Sequence, residues 1–261
     1  MANHAVTIDP DEQNTRTELG KYMRLFAQQM RELGWTKFFR LLQHPIDINT
    51  ATIHTIRHTA AQFLHRLAKS GVPAPSGAAP WSKAKLHQVY NRGPHASALH
   101  QFRSFLFEDM LDMVKKRYWI VLPFSAVRHF AHLKLAPAGV VPQRTRRPRP
   151  IIDYTFTDVN ANSAPLAPTQ AMQFGQAIQR ILQRIAYTNP KYGPALLSKV
   201  DLSDGYYRVP LSPSAALELA VVLPSTSGKQ AHHRHPLKAA HGLEVQPSVL
   251  LCLHRNRGRS Q

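Results

Sequence analysis

The stretch "LLSKVDLSDGYYRVPL", residues 196–211, sets two carboxylates and two phenols at the end of an apolar run. Val200 and the leucines before it have the make-up of a buried strand. That leaves Asp201 at the strand end, where a carboxylate can face solvent and a metal ion. Asp204 and Gly205 fall in the turn that follows, and a glycine there lets backbone come close to a ligand. Tyr206 and Tyr207 come next, and "RVPL" reads as a new extended segment. A hard cation such as Mg²⁺ takes one or two carboxylates and completes its shell with water and phosphate oxygens. The competing reading is an Asp-rich turn that caps a hairpin and binds nothing.

Around these acids the chain is basic. Lys and Arg number 33 against 15 Asp and Glu, for a formal net charge of +18. Such an excess favours a polyanionic partner, RNA or DNA, because each phosphate contact releases condensed counterions. The charge is densest in "VVPQRTRRPRPIIDY", where Arg144, Arg146, Arg147 and Arg149 are expected to dominate nucleic-acid binding. His54 and His58 have the i, i+4 spacing of a metal pair. No Cys or acid joins them at a recognised spacing, so a solvated helix face is expected. The single cysteine, Cys252, excludes an internal disulfide and a Cys-rich zinc site. No apolar run reaches the ~18 residues of a membrane span, and the opening residues are polar. An intracellular protein with no membrane partner is the expectation.

Asp9-Pro10-Asp11-Glu12 reads as a helix start, with a cap, a proline at the first helical position and acids in the first turn. Leu19, Tyr22, Met23, Phe26, Met30 and Leu33 share one helical face, and Gly34 ends it. Trp35, Phe38, Phe39 and Leu42 predict a shorter second helix. A third is predicted over residues 50–69, with Ile53, Ile56, Ala60, Phe63, Leu64 and Leu67 inward. Together these make a helical module over residues 1–70. "GVPAPSGAAP" opens a Pro/Ala linker, residues 71–82, and a second domain is expected over residues 83–224. There Leu99, Phe102, Leu106, Met110, Met113 and Val114 mark a helix running into the strand "YWIVLP". A helix after Thr169 should turn Ala171, Gly175, Ile178, Leu182 and Ile185 inward. With no internal repeat and no βαβ regularity, the expected class is α+β.

"KVDLSDGYYRVPL" resembles motif A of the reverse transcriptases of retroviruses and long-terminal-repeat retrotransposons. In that motif a metal-binding Asp precedes a polar turn, an aromatic pair and a Val-Pro-Leu exit. "RPRPIIDYTFTDVN" is similar to a fingers strand of those enzymes, and "FEDMLDMVKKRYWIVLP" to the helix and strand leading into it. The likeness spans residues 96–224 and implies a fingers–palm domain that carries out RNA-directed DNA synthesis. By position it makes Asp201 the catalytic ligand of Mg²⁺, and Asp204 and Gly205 the turn beside the incoming triphosphate. Tyr206 falls where the family excludes a ribose 2′-hydroxyl. Arg149 matches the fingers residue on the triphosphate, and Arg144 falls near its basic companion. Planar guanidinium groups suit that role. Pro150 departs from the pattern, because it removes a ladder donor and restricts its segment to an edge strand.

Two-metal phosphoryl transfer needs carboxylates from more than one segment. The family draws the others from a Tyr-x-Asp-Asp hairpin after motif A, whereas this chain has no Asp-Asp pair and no Asp after Asp204. Residues 225–261 instead form a basic tail; from Lys229 on, six Lys or Arg and five His accompany one Glu. Codons permitted for "RHPLKAAHGLEVQP", read one nucleotide later, can spell "GIPLKLPMGWKSSP", which fits the motif the family places there. A frame change near residues 225–233 would produce this, with a disordered tail that adds nothing to the fold. The expectation is a fragment of a retrotransposon reverse transcriptase, inactive as it stands. The alternative is a non-catalytic, basic nucleic-acid-binding protein that uses the arginine loop and the tail.

Overall fold

The computed structural model describes residues 10–43, 57, 61–74, 79–156, 177–198, 209–224 and 248–252. Helix α1 (Pro10–Leu33) opens with a proline and then Asp11 and Glu12, which suit the positive end of the helix dipole. Its buried residues Leu19, Met23, Phe26 and Met30 recur every three or four positions, as the stripe predicts. Gly34 adopts φ 73° and donates to the Met30 carbonyl, which frees the chain to begin α2 (Trp35–Leu42) against α1. Then follow α3 (Ala61–Ser70), α4 (Lys83–Arg92), α5 (Ala96–Leu99) and α6 (Arg103–Lys115). Ser82 caps α4 by accepting from the Lys85 amide. Strand β1 (Trp119–Pro123), α7 (Phe124–Val127) and strands β2 (Leu135–Val141) and β3 (Arg149–Ile152) come next. Further along the described residues come α8 (Ala177–Ala186), a 3-10 turn (Pro190–Tyr192), α9 (Pro213–Glu218), β4 (Ala220–Val222) and β5 (Ser248–Cys252).

Among the described residues, five strands make one sheet in the order β1-β5-β4-β2-β3, in which the β2–β4 pair is parallel and the other pairs are antiparallel. Mixed helix and strand, α+β, is therefore the class observed. Helix α1 packs on β1 and on α6, and Phe26, Phe38, Met110, Trp119 and Leu122 belong to one continuous core. The expected boundary at residues 71–82 therefore does not separate two cores. An apolar stripe as wide as that of α1 needs a broad partner, and the sheet supplies it. Polar groups fasten the same contact. Glu12 accepts from Ser104 Oγ at 2.6 Å and pairs with Arg103 at 3.3 Å and Arg16 at 3.5 Å. Burial, and then the charge of Arg103, pull the Arg16 guanidinium below its ordinary value.

The presumed linker is also built in at its start. Val72 donates to Pro210 O at 2.8 Å and accepts from the Ser212 amide at 3.0 Å, a parallel bridge to Leu211. Trp35 Nε1 and Gln43 Nε2 donate to the carbonyls of Pro213 and Leu211, so α2 grips the same segment. The Val-Pro-Leu exit is thereby fixed from Val209 onward by elements far upstream. Gly71 makes the approach possible. Its φ is +80°, and a Cβ there would sit 2.5 Å from Leu211 C, Leu211 O and Ser212 N. Gly71→Ala is expected to destabilise the fold by at least about 2 kcal/mol in urea unfolding. Gly34→Ala should cost only about 1 kcal/mol, since its φ is also positive but nothing lies within 4 Å.

Three expectations need correction. In α3 the predicted inward residue Leu64 is exposed and Ala61 and Ala68 are buried instead; Ile53, Ile56 and Ala60 lie outside the described residues. Helix α8 turns Ile178, Leu182 and Ile185 outward, with Ile178 73% exposed. Its stripe is real, but among the described residues no surface covers it. The third correction is in the tail, where Ser248–Cys252 forms a strand between β1 and β4 rather than part of a featureless extension. Its register sets Leu250 opposite both Val121 and Val221. A strand with a neighbour on each side saturates its backbone hydrogen bonds, which explains how so short a segment can be held.

Candidate nucleic-acid interface

The arginine-rich stretch is the tip and second strand of the β2–β3 hairpin. Directly opposed residues share a face, and the pairs alternate. Ala138↔Ile152 and Val140↔Pro150 turn toward the core, where Ala138, Val140 and Ile152 are buried. Gly139↔Ile151 and Val141↔Arg149 turn outward, and Val141, Arg149 and Ile151 are exposed. Arg149 therefore stands on an outward face flanked by two aliphatic side chains. β3 is an edge strand, which Pro150 requires.

The back of the hairpin is held by α5 and the residue before it. β4 stops opposite Pro137, and beyond that point the β2 edge is taken over by side chains and loop backbone. The His95 amide donates to Ala138 O at 2.9 Å, and Ser97 Oγ accepts from the Val140 amide at 3.2 Å. His95 Nε2 lies 3.2 Å from Asp153 Oδ2, while Asp153 Oδ1 accepts from the Phe156 amide. The Arg92 guanidinium covers the Phe156 ring at 4.1 Å. Asp153 thus closes the strand end against α4 and α5.

The four arginines do not behave alike. All four are exposed, Arg147 with 58% of its side chain, but among the described residues Arg144, Arg146 and Arg149 form no ion pair. Arg147 folds back onto α6. Its Nη1 lies 3.2 Å from Asp109 Oδ1, and its guanidinium is 4.9 Å from the Phe105 ring. Asp109 is only 4% exposed. Burial pushes its carboxyl above the ordinary value, and Arg147 opposes that rise. Asp109 was not among the candidates from sequence. Its signal was an acid in the apolar stripe of α6, one residue before Met110.

Asp201, Asp204, Gly205 and Tyr206 lie outside the described residues, as do His54 and His58. Of the residues expected at the nucleotide, the structure describes Arg144 and Arg149, both on the one hairpin. Among the described residues no group of three or more His, Cys, Asp or Glu could hold a metal ion. None of the helices among them is long and apolar enough to cross a membrane. No family model, curated protein or solved structure matches the chain.

Proposed function

We propose that this chain binds RNA or DNA through the tip and outer face of the β2–β3 hairpin, and that it is a portion of a retrotransposon reverse transcriptase without polymerase activity of its own. The observation that carries the binding part is the trio Arg144, Arg146 and Arg149, exposed and unpaired among the described residues in a chain of net charge +18. Three exposed guanidinium groups, with Arg149 beside exposed Val141 and Ile151, suit a phosphate backbone with sugar edges laid against the aliphatics. The family part rests on the wording of the 107–123, 147–160 and 199–211 stretches.

The donor set does not fit the two Mg²⁺ ions of polymerase chemistry. Asp201 and Asp204 come from one segment, and no acid pair follows them. One carboxylate segment can hold Mg²⁺ only weakly, and the attacking and leaving oxygens of the transfer each need a metal. A primed RNA template with deoxynucleotides and Mg²⁺ should accordingly give no extension, and Asp201→Asn should change nothing in that assay. A chain restored to the shifted frame and continued through a Tyr-x-Asp-Asp hairpin should extend primers, and there Asp201→Asn should abolish extension. Template-dependent synthesis by the present 261 residues, lost on Asp201→Asn, would overturn the inactive reading. If neither chain extends primers but salt-dependent binding persists, the non-catalytic binding protein is the better description.

A further inference from the structure

We infer that Asp109, with Phe105, is a positioning device for the arginine loop: it holds Arg147 against α6 so that Arg144, Arg146 and Arg149 are presented outward as a fixed set. This rests on the nucleic-acid reading above. The loop joining β2 to β3 covers residues 142–148, so Arg147 lies between the tip arginines and Arg149. One clamp there restrains both sides of the loop. The clamp has two surfaces, the Asp109 carboxylate at 3.2 Å and the Phe105 ring at 4.9 Å, and both come from the same rigid helix. The neighbouring acid is engaged elsewhere, since Asp112 pairs with Lys116 at 2.8 Å. More than half of the Arg147 side chain stays exposed, but moving its guanidinium onto a phosphate would leave a buried carboxylate without this partner. Arg147 is therefore assigned to holding the loop, and the other three to contacting the polyanion.

The inference makes a prediction opposite in sign to simple charge counting. Asp109→Asn removes a negative charge close to the binding surface, so Coulomb's law alone expects tighter binding to a polyanion. Loss of positioning expects weaker binding, because the loop must then be ordered on association. The expected effect is about fivefold weaker affinity, with the salt slope unchanged since no phosphate contact is lost.

The measurement is fluorescence anisotropy of a labelled oligonucleotide against full-length wild type and Asp109→Asn across a salt series. Tryptic cleavage followed by mass spectrometry supplies a second readout that needs no nucleic acid. Arg147 and Arg149 each precede a proline and resist trypsin, so cleavage after Arg144 and Arg146 reports the loop alone. Asp109→Asn should cut faster at both bonds while the melting transition is retained. Arg147→Lys, which keeps the charge but not the planar stack, should also cut faster. Equal or tighter binding by Asp109→Asn, or unaltered cleavage in both variants, overturns the inference. Faster cleavage in a protein whose wild type shows no salt-dependent binding upholds the clamp and removes the nucleic-acid reading instead.

Discussion

Replacing Arg144, Arg146 and Arg149 together with alanine should lower the slope of log affinity against log salt by about 2 to 3, at 0.7 to 0.9 for each phosphate contact removed. At 0.1 M salt that corresponds to roughly 100-fold weaker binding, because the counterion contribution grows by the slope for each tenfold dilution of salt. The fold should be spared, since all three side chains are exposed and none forms an ion pair among the described residues. Exposed substitutions of this kind usually change stability by less than about 0.5 kcal/mol. Arg147→Ala should behave differently, with little change in slope and a loss of loop order, because its guanidinium is committed to Asp109. An unchanged slope in the triple variant would move the footprint to the helices or the basic tail.

Leu250→Pro should be the most damaging single change to stability. Leu250 stands opposite Val121 on one side and Val221 on the other, in the middle of the sheet. Proline there has no amide to donate and cannot sit in a central strand, so a loss of about 3 kcal/mol or more is expected. For a chain of this size the melting temperature should fall by roughly 10 °C. Removing residues 225–261 should do at least as much, since it leaves β1 without its sheet partner. A Leu250→Pro protein that melts like wild type would return the whole tail to the featureless extension expected from its composition.

Asp109 adds a pH dependence whose sign can be worked out. Burial raises its carboxyl above the ordinary value of 3.8, so the folded state holds the proton more tightly than the unfolded chain does. The stability that this supplies is fully present below the ordinary carboxylate range. It is lost as pH rises through the elevated folded value. Above that folded value the ionised group is a net burden, moderated by Arg147. Asp109→Asn should match or exceed wild type in thermal melts at pH 7, and the difference should shrink toward pH 4. Stability held or gained together with weaker binding is what a residue retained for positioning would show.

Much of the helical half was legible in the residues themselves. The α1 stripe and Gly34 marked one helix and its end, because period and φ freedom are local properties. "YWIVLP" marked β1, and Pro150 marked an edge strand, since a missing amide is a local fact as well. The arginine cluster was visible for the same reason. Strand β2 was not, because Pro137 and Gly139 weaken its local signal and its pairing with β4 comes from distant sequence. Strand β5 was missed because a segment flanked by strands on both sides shows no alternation, and five residues are too few to outweigh a basic tail. The division of labour among the arginines was equally hidden. Four similar side chains within six residues carry the same local chemistry, and only the contacts with Asp109 and Phe105 of α6 single out Arg147. Charge, helix stripes and the identity of the candidate ligands are written in the residues and need no fold to be read. Which arginine meets Asp109, which strand lies between β1 and β4, and that α1 shares its core with the sheet all depend on groups that meet only when distant segments pack.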